Sequence, residues 1–458
     1  MNKKRAQQIF NSLNKTSKNP VQKRKFSFSY KSEFLEYKSF LNNFSSEQYQ
    51  LFDRLFNELE VQDSIQSLFA GEIVNTTEIR PALHHRYRAP QPSPDFDFKK
   101  ICAPLLLQIN KSKYKNIITF GIGGSYEGPK LLQEFLLNPS SDINYVFVSG
   151  PDKEEFNNIV KPLLGQKNLY IFASKSLSTD ETLSCLKWLG KNRTSKNSIA
   201  ITANSEGAMA LGFDEASIIP FPESVGGRYS IWSPISLTAS IENNFMGFLH
   251  GGGTADKLLS GNSLDAKKYQ KLIKTLAFSD MWFSNFCNKK NRVVLTYNWR
   301  LRSFANYIQQ LEMESLGKPA NVQSLFHETG QTIFGGFGST AQHSYFQLLH
   351  QGTSHCAADI IHSPTIQSPL SSAQANGQAI LLSSLSMKSP NKLETTNGDI
   401  PVNLFLLPKL SLKELGFILA TWEHRVFVTA CMLQINPFDQ FGVSAGKKIA
   451  ARLLKNTL

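Results

Sequence analysis

Residues 117–132, IITFGIGGSYEGPKLL, decide how the chain is read. The apolar run 116–120 suits a strand covered on both faces. It stops at Gly121, Gly123 and Gly124, and a helical pattern follows over 128–137. Strand, glycine turn and helix open a parallel α/β unit. The glycines let backbone N–H groups approach an anion, and the helix adds its N-terminus. The same residues serve equally as a tight turn with a helix cap. The loop is not a dinucleotide fingerprint, because Tyr126 stands where the third glycine belongs. Nor is it a nucleotide-triphosphate loop, because Pro129 follows Gly128.

Outward from this segment the alternation continues. Strands are predicted at 145–149, 169–173 and 198–202, with a helix at 179–189. A mostly helical stretch spans 235–290. Alternation then resumes, with strands at 292–297, 357–361 and 402–407 and helices at 300–316, 412–433 and 443–454. The predicted fold class is α/β, with two tandem units, each a parallel sheet flanked by helices, and helical N- and C-terminal segments. The predicted division is a basic flexible tail at 1–32, a helical segment at 33–110 and a first α/β domain at 111–234. A helical connection at 235–290, a second α/β domain at 291–435 and a C-terminal helix at 436–458 complete it.

Charge and cysteine usage narrow the class. The 458 residues carry a formal charge of +13, and 1–32 hold nine Lys or Arg with no acid. Taking those nine away leaves +4 on the rest, so the body is near neutral and the excess is expected in a solvated tail. The tail lacks the apolar stretch of a secretory signal; an organelle-targeting role is the alternative. Cys102, Cys185, Cys287, Cys356 and Cys431 are scattered, the pattern of reduced structural thiols in a cytoplasmic protein. No apolar run is long enough for a membrane span. The stretch 416–433 is interrupted by Glu423, His424 and Arg425.

Five further segments carry candidate chemistry. In 171–183, IFASKSLSTDETL, Ser174, Lys175, Ser176, Thr179 and Thr182 gather where a helix starts, able to wrap a phosphate. Ser178 and Glu181 also fit a capping box. In 225–237, VGGRYSIWSPISL, Arg228 sits among apolar residues and needs an anion, either a structural carboxylate or a substrate. In 309–318, QQLEMESLGK, Gln310 and Glu314 share a helix face, and Glu314 is a candidate general base or a solvated surface acid. In 334–352, FGGFGSTAQHSYFQLLHQG, a glycine-rich loop leads to a helix beginning near His343, with His350 two turns on. In 436–450, NPFDQFGVSAGKKIA, a helix begins at Asn436-Pro437 and carries Gln440 and Lys447 on one face. No set of His, Cys, Asp and Glu has metal-ligand spacing.

Together, and in this order, GIGGS, SKSLSTDET, VGGRYSIWS, QLEMESLGK, QHSYFQLLHQG and FDQFGVSAGK resemble the glucose-6-phosphate isomerase (phosphoglucose isomerase) family over about 115–450. The resemblance implies two sugar-isomerase (SIS) domains and reversible isomerisation of glucose 6-phosphate and fructose 6-phosphate, in glycolysis and gluconeogenesis. It implies no metal and no organic cofactor. It gives Gly124, Ser125, Ser174, Lys175, Ser176, Thr179 and Thr182 to the phosphate cradle and Gln310 and Gln440 to substrate binding. Arg228 becomes the cation beside the enediolate, and Glu314 the base moving a proton between C2 and C1. His343 and Lys447 become the ring-opening pair. The histidine is supplied by the partner subunit, which implies a homodimer with shared sites.

The sequence departs from the common family pattern at Gly336-Phe337, Thr340-Ala341, Ser176-Leu177-Ser178, Phe441 and Ser444-Ala445. None of these removes a catalytic side chain. Two competing readings are a non-catalytic phosphosugar-binding regulator on the same fold and a nucleic-acid binder resting on the basic tail. The first would keep the cradle and lose the base; the second would lose binding with residues 1–32.

Overall fold

A computed structural model describes residues 3–18, 26–112, 114–136, 141–241, 245–364, 368–387 and 389–457. Two sheets organise the chain. The first has five parallel strands in the order Asn144–Val148, Asn116–Phe120, Asn168–Ala173, Ser198–Thr202, Ile218–Pro220. Its three central strands are buried along their whole length, as helices on both faces require. The second sheet has four parallel strands: Thr332–Phe337, Asn291–Thr296, Cys356–His362 and Val402–Leu406. Glu36–Phe40 and Ser29–Lys31 extend it in antiparallel fashion, with Tyr37 opposite Phe405.

The second sheet corrects two expectations. Residues 33–110 are not wholly helical, because Glu36–Phe40 supplies a strand to a sheet more than 350 residues further along the chain. The stretch read as a glycine-rich loop before His343 is the edge strand Thr332–Phe337. Gly335 has φ +154°, and a Cβ there would lie 1.9 Å from the Val294 carbonyl oxygen. The glycine is present for close strand approach, so it carries none of the β-branched signal by which strands are read.

The basic start is also different from a solvated tail. Lys3–Lys18 is a helix whose Ala6, Ile9 and Leu13 are buried, while Phe10 packs edge-on to Phe326 at 5.3 Å. Arg5 pairs with Glu58 at 3.0 Å. The apolar residues recur on one face, and the lysines occupy the other, so high charge and a buried stripe coexist. The seven residues 19–25, also assigned to the tail, lie outside the described residues.

Helices Met246–Ser260, Leu264–Phe286 and Leu412–Leu433 pack against one another. The last is buried nearly throughout, including Glu423, His424 and Arg425. Each of these charges is partnered. Arg88 donates to Asp256 and Glu423 at 2.6 Å, and His424 bonds Asp256 at 2.9 Å. Arg425 forks onto Asp280 with two 2.6 Å bonds and reaches Asp359 at 2.9 Å. Arg292 joins Asp280, Asp359 and Glu312, while Trp422 donates its indole N–H to Glu312 at 2.6 Å. Burial pushes the carboxyls of Asp280, Glu312 and Asp359 up, against the opposing pull of the guanidiniums. Paired charges are how an interrupted apolar helix can be central to a core. No helix of the described residues is long and apolar enough to cross a membrane.

Candidate active site

An open cavity of about 810 Å³ lies beyond the carboxyl ends of the first sheet, where open parallel sheets bind ligands. The first wall is the glycine turn. Gly124 begins helix Gly124–Leu136, and a Cβ on it would lie 1.9 Å from the Gly227 carbonyl oxygen. Only glycine lets this turn meet the loop that carries Arg228. Ser125 and Gly124 both line the cavity.

The second wall follows strand Asn168–Ala173. Ser174 Oγ and Thr179 Oγ1 are 3.1 Å apart, and the helix starts at Asp180. The expected Ser178–Glu181 capping box does not form. Thr179 occupies the cap position without a side-chain cap bond, and Ser178 donates to Ser176 Oγ at 2.7 Å. The hydroxyls bond one another, so no side chain caps the first amides of the helix. Thr182 is buried in the same wall, its hydroxyl without a hydrogen-bond partner among the described residues.

Lys175 departs from a simple phosphate ligand. Its ammonium donates to the carbonyl oxygens of Glu223 at 2.6 Å and Val225 at 3.3 Å, leaving one N–H. It therefore ties the cradle to the loop that runs into Arg228. Burial, with Arg80 close by, pulls Lys175 down to about 8.

Arg228 is buried, and all three of its nitrogens are engaged. Nε donates to Ser315 at 2.7 Å, and Nη2 donates to the carbonyl oxygens of Asp439 at 3.0 Å and of Pro437. Nη1 donates to Gln440 Oε1 at 2.9 Å and lies 3.3 Å from Glu314 Oε2. Gln310 donates to the same Glu314 oxygen at 3.2 Å, and its own amide oxygen is buried without a partner among the described residues. Gln310 and Glu314 share one face of helix Phe304–Leu316, as their spacing requires. Glu314 thus faces a cation and an amide inside the cavity and is not a solvated surface acid.

Gln440 and Lys447 both line the cavity, but by a different route from the single helix expected. Gln440 precedes a short turn, Phe441–Val443, and the helix begins at Ser444. His343 stands apart. It closes the short helix Gly338–Gln342, is exposed, and does not line the cavity of its own chain. Sequence reading missed Arg80, Asn204 and Glu223, which also line the cavity. Arg80 comes from a turn far upstream, paired with Glu78 at 2.5 Å and Glu223 at 3.6 Å. No motif announced it; Asn75-Thr76-Thr77 before it and Pro81 after it are the local turn signals. Among the described residues no group of three or more His, Cys, Asp or Glu side chains is arranged to hold a metal ion.

A parallel α/β chain with hydroxyls at a helix start on one cavity wall, and a carboxylate, an amide and a buried guanidinium on another, has the groups to hold an anion beside a base. The sequence model described as phosphoglucose isomerase matches residues 108–457. The chain belongs to the phosphoglucose isomerase family. It is 32% identical over 480 residues to glucose-6-phosphate isomerase of Shewanella halifaxensis, covering 92% of this chain and 87% of that protein. It is 33% identical over 441 residues to the enzyme of the same name from Zymomonas mobilis, covering 89% and 85%. In fold it is similar to a crystal structure of a glucose-6-phosphate isomerase from Chlamydia trachomatis, with a TM-score of 0.84 at 23% identity, covering 98% and 95%.

Proposed function

We propose that this cavity is an active site for reversible isomerisation of glucose 6-phosphate and fructose 6-phosphate, a step of glycolysis and gluconeogenesis. The chain is an isomerase by family. The observation that carries the assignment of the site is the contact of Glu314 with Arg228 Nη1 at 3.3 Å, in the cavity that also holds the Ser174–Thr179 cradle.

The chemistry divides among these groups. Ser125, Ser174, Ser176, Thr179 and Thr182, with the helix amides at Asp180, hold the phosphate, and Lys175 adds positive charge behind them. Remote binding of this kind positions the sugar for reaction. The substrate arrives as a closed ring. A proton must reach the ring oxygen while another leaves the anomeric hydroxyl, the work of His343 and Lys447. Glu314 then takes the proton from C2 and returns it to C1. Negative charge grows on the two oxygens of the enediolate, and Arg228, fixed by its other bonds, stabilises it. Gln310 and Gln440 orient the hydroxyls.

His343 joins this set from a second copy of the chain. Its exposure outside its own cavity supports a homodimer with shared sites. So does the C-terminal helix Ser444–Thr457, which presents Ile449 and Leu454 to solvent in the single chain. The free, unpaired cysteines support a reducing, cytoplasmic setting. A coupled assay of the purified protein on fructose 6-phosphate tests the activity. Binding of the sugar phosphate without formation of glucose 6-phosphate would overturn it.

A further inference from the structure

The turn at 75–80 lies upstream of the segment that the family model matches, yet it reaches the catalytic arginine through three polar links. Thr77 donates its hydroxyl to Asp439 Oδ2 at 2.7 Å. Asn436 donates its amide to Asn75 Oδ1 at 2.8 Å, to Thr77 Oγ1 at 2.7 Å and to Asp439 Oδ2 at 3.1 Å. Lys318 lies 3.2 Å from Asp439 Oδ1 and also donates to the Asp439 carbonyl oxygen. The Asp439 side chain is thus held by two residues distant in sequence, Thr77 and Lys318, and by Asn436 three positions before it, and the residue is buried. Its backbone carbonyl, with that of Pro437, accepts from Arg228 Nη2, and the next residue, Gln440, accepts from Nη1.

The turn is itself held in an unusual conformation. Asn75 and Arg80 exchange both backbone hydrogen bonds, at 3.1 and 3.2 Å. Ile79 between them has φ +52°, a region a β-branched residue enters only at a cost. Strain of this kind persists where the surroundings over-determine a geometry. Here the surroundings are the clamp on one side and Arg80 in the cavity on the other.

We propose that Asp439 is a positioning residue, clamped by Thr77, Asn436 and Lys318, that aims Arg228 at the enediolate. Asp439 touches no substrate. It fixes the 437–440 turn, whose carbonyls leave the guanidinium one orientation, with Nη1 toward Glu314 and Gln440. Its effect on catalysis rests on the isomerase reading above. The orientation of Arg228 does not.

Kinetics and crystallography together test this. Thr77→Val removes one hydroxyl and should lower kcat about fivefold with KM for fructose 6-phosphate little changed. Asp439→Ala should lower kcat about 10²-fold, and Asp439→Asn, which keeps an acceptor for Thr77, should recover part of that loss. In an Arg228→Lys background, Thr77→Val should cost almost nothing more, because both act through one group. Additive losses, or a lowered melting temperature with unchanged kcat, would mean the clamp is only structural. If Asp439→Ala does not fold, Thr77→Val and the double variant still decide. A wild-type protein without turnover would overturn the isomerase reading alone. The crystal structure of Thr77→Val would then decide the clamp: displacement of Arg228 from Gln440 upholds it, and an unmoved arginine overturns it.

Discussion

Arg228 Nη1 stands 3.3 Å from Glu314 Oε2, and every other nitrogen of that guanidinium is committed to the protein. The carboxylate is therefore paired to a cation that cannot turn away. In the proposed mechanism Glu314 exchanges a proton with substrate and Arg228 stabilises the resulting charge.

Glu314→Gln should lower kcat by about 10²–10⁴ while leaving affinity for 6-phosphogluconate largely intact. The amide keeps the size of the side chain and its contact with Gln310 but cannot accept the C2 proton. Turnover close to that of the unaltered protein would remove Glu314 from the role of base.

Arg228→Lys keeps the charge and loses the fork. The four hydrogen-bond acceptors of the guanidinium and Glu314 cannot all be met by a single ammonium. We expect kcat to fall about 10²-fold with the dissociation constant of 6-phosphogluconate much less affected. A change confined to ligand affinity would move Arg228 from the reacting centre to ground-state binding.

The cradle carries a pH signature. Lys175 titrates at about 8 in the folded chain, below its ordinary 10.5. Between those values the folded protein has released a proton that the unfolded chain retains. Folding stability from this group therefore rises with pH there, while its attraction for phosphate falls. The ligand phosphate, with a second pKa near ~6, is already dianionic above neutrality. Affinity for 6-phosphogluconate should therefore fall as pH climbs through about 8. Isothermal titration from pH 7 to 10 measures this. Lys175→Arg, which stays charged, should flatten the profile, and an unchanged slope would assign the effect to another group.

The proposed sharing of sites between two copies predicts complementation. His343→Ala and Glu314→Gln proteins, each nearly inactive alone, should regain part of the activity when mixed under conditions that exchange subunits. A mixed dimer has one site with both groups intact. No recovery despite demonstrated exchange would return His343 to its own chain. His343→Ala should also slow turnover of the closed sugar more than proton exchange at C2 of the open chain.

Local patterns were legible wherever the signal was local. Strands Asn116–Phe120 and Ser198–Thr202 and helix Leu412–Leu433 fall where the apolar runs predict them. The partnership of Gln310 with Glu314 follows from a spacing of four on one helix. The strand Thr332–Phe337 was hidden by its own glycines, and Glu36–Phe40 by a charged, aromatic sequence whose pairing partner lies at 402–406. The Ser178–Glu181 capping box does not form, because Ser178 bonds Ser176 and Thr179 takes the cap position.

By itself the sequence determined the order of strand and helix, the glycine turn, the run of hydroxyls and the identity of each candidate side chain. Those depend on residues within a few positions of one another. Only the tertiary structure decided what Arg228 faces, why Lys175 turns to the carbonyls of Glu223 and Val225, that Arg80 lines the cavity and that Thr77 bonds Asp439. Each of these contacts joins residues tens to hundreds of positions apart, and its partner is chosen by packing of buried polar groups that must all be paired at once.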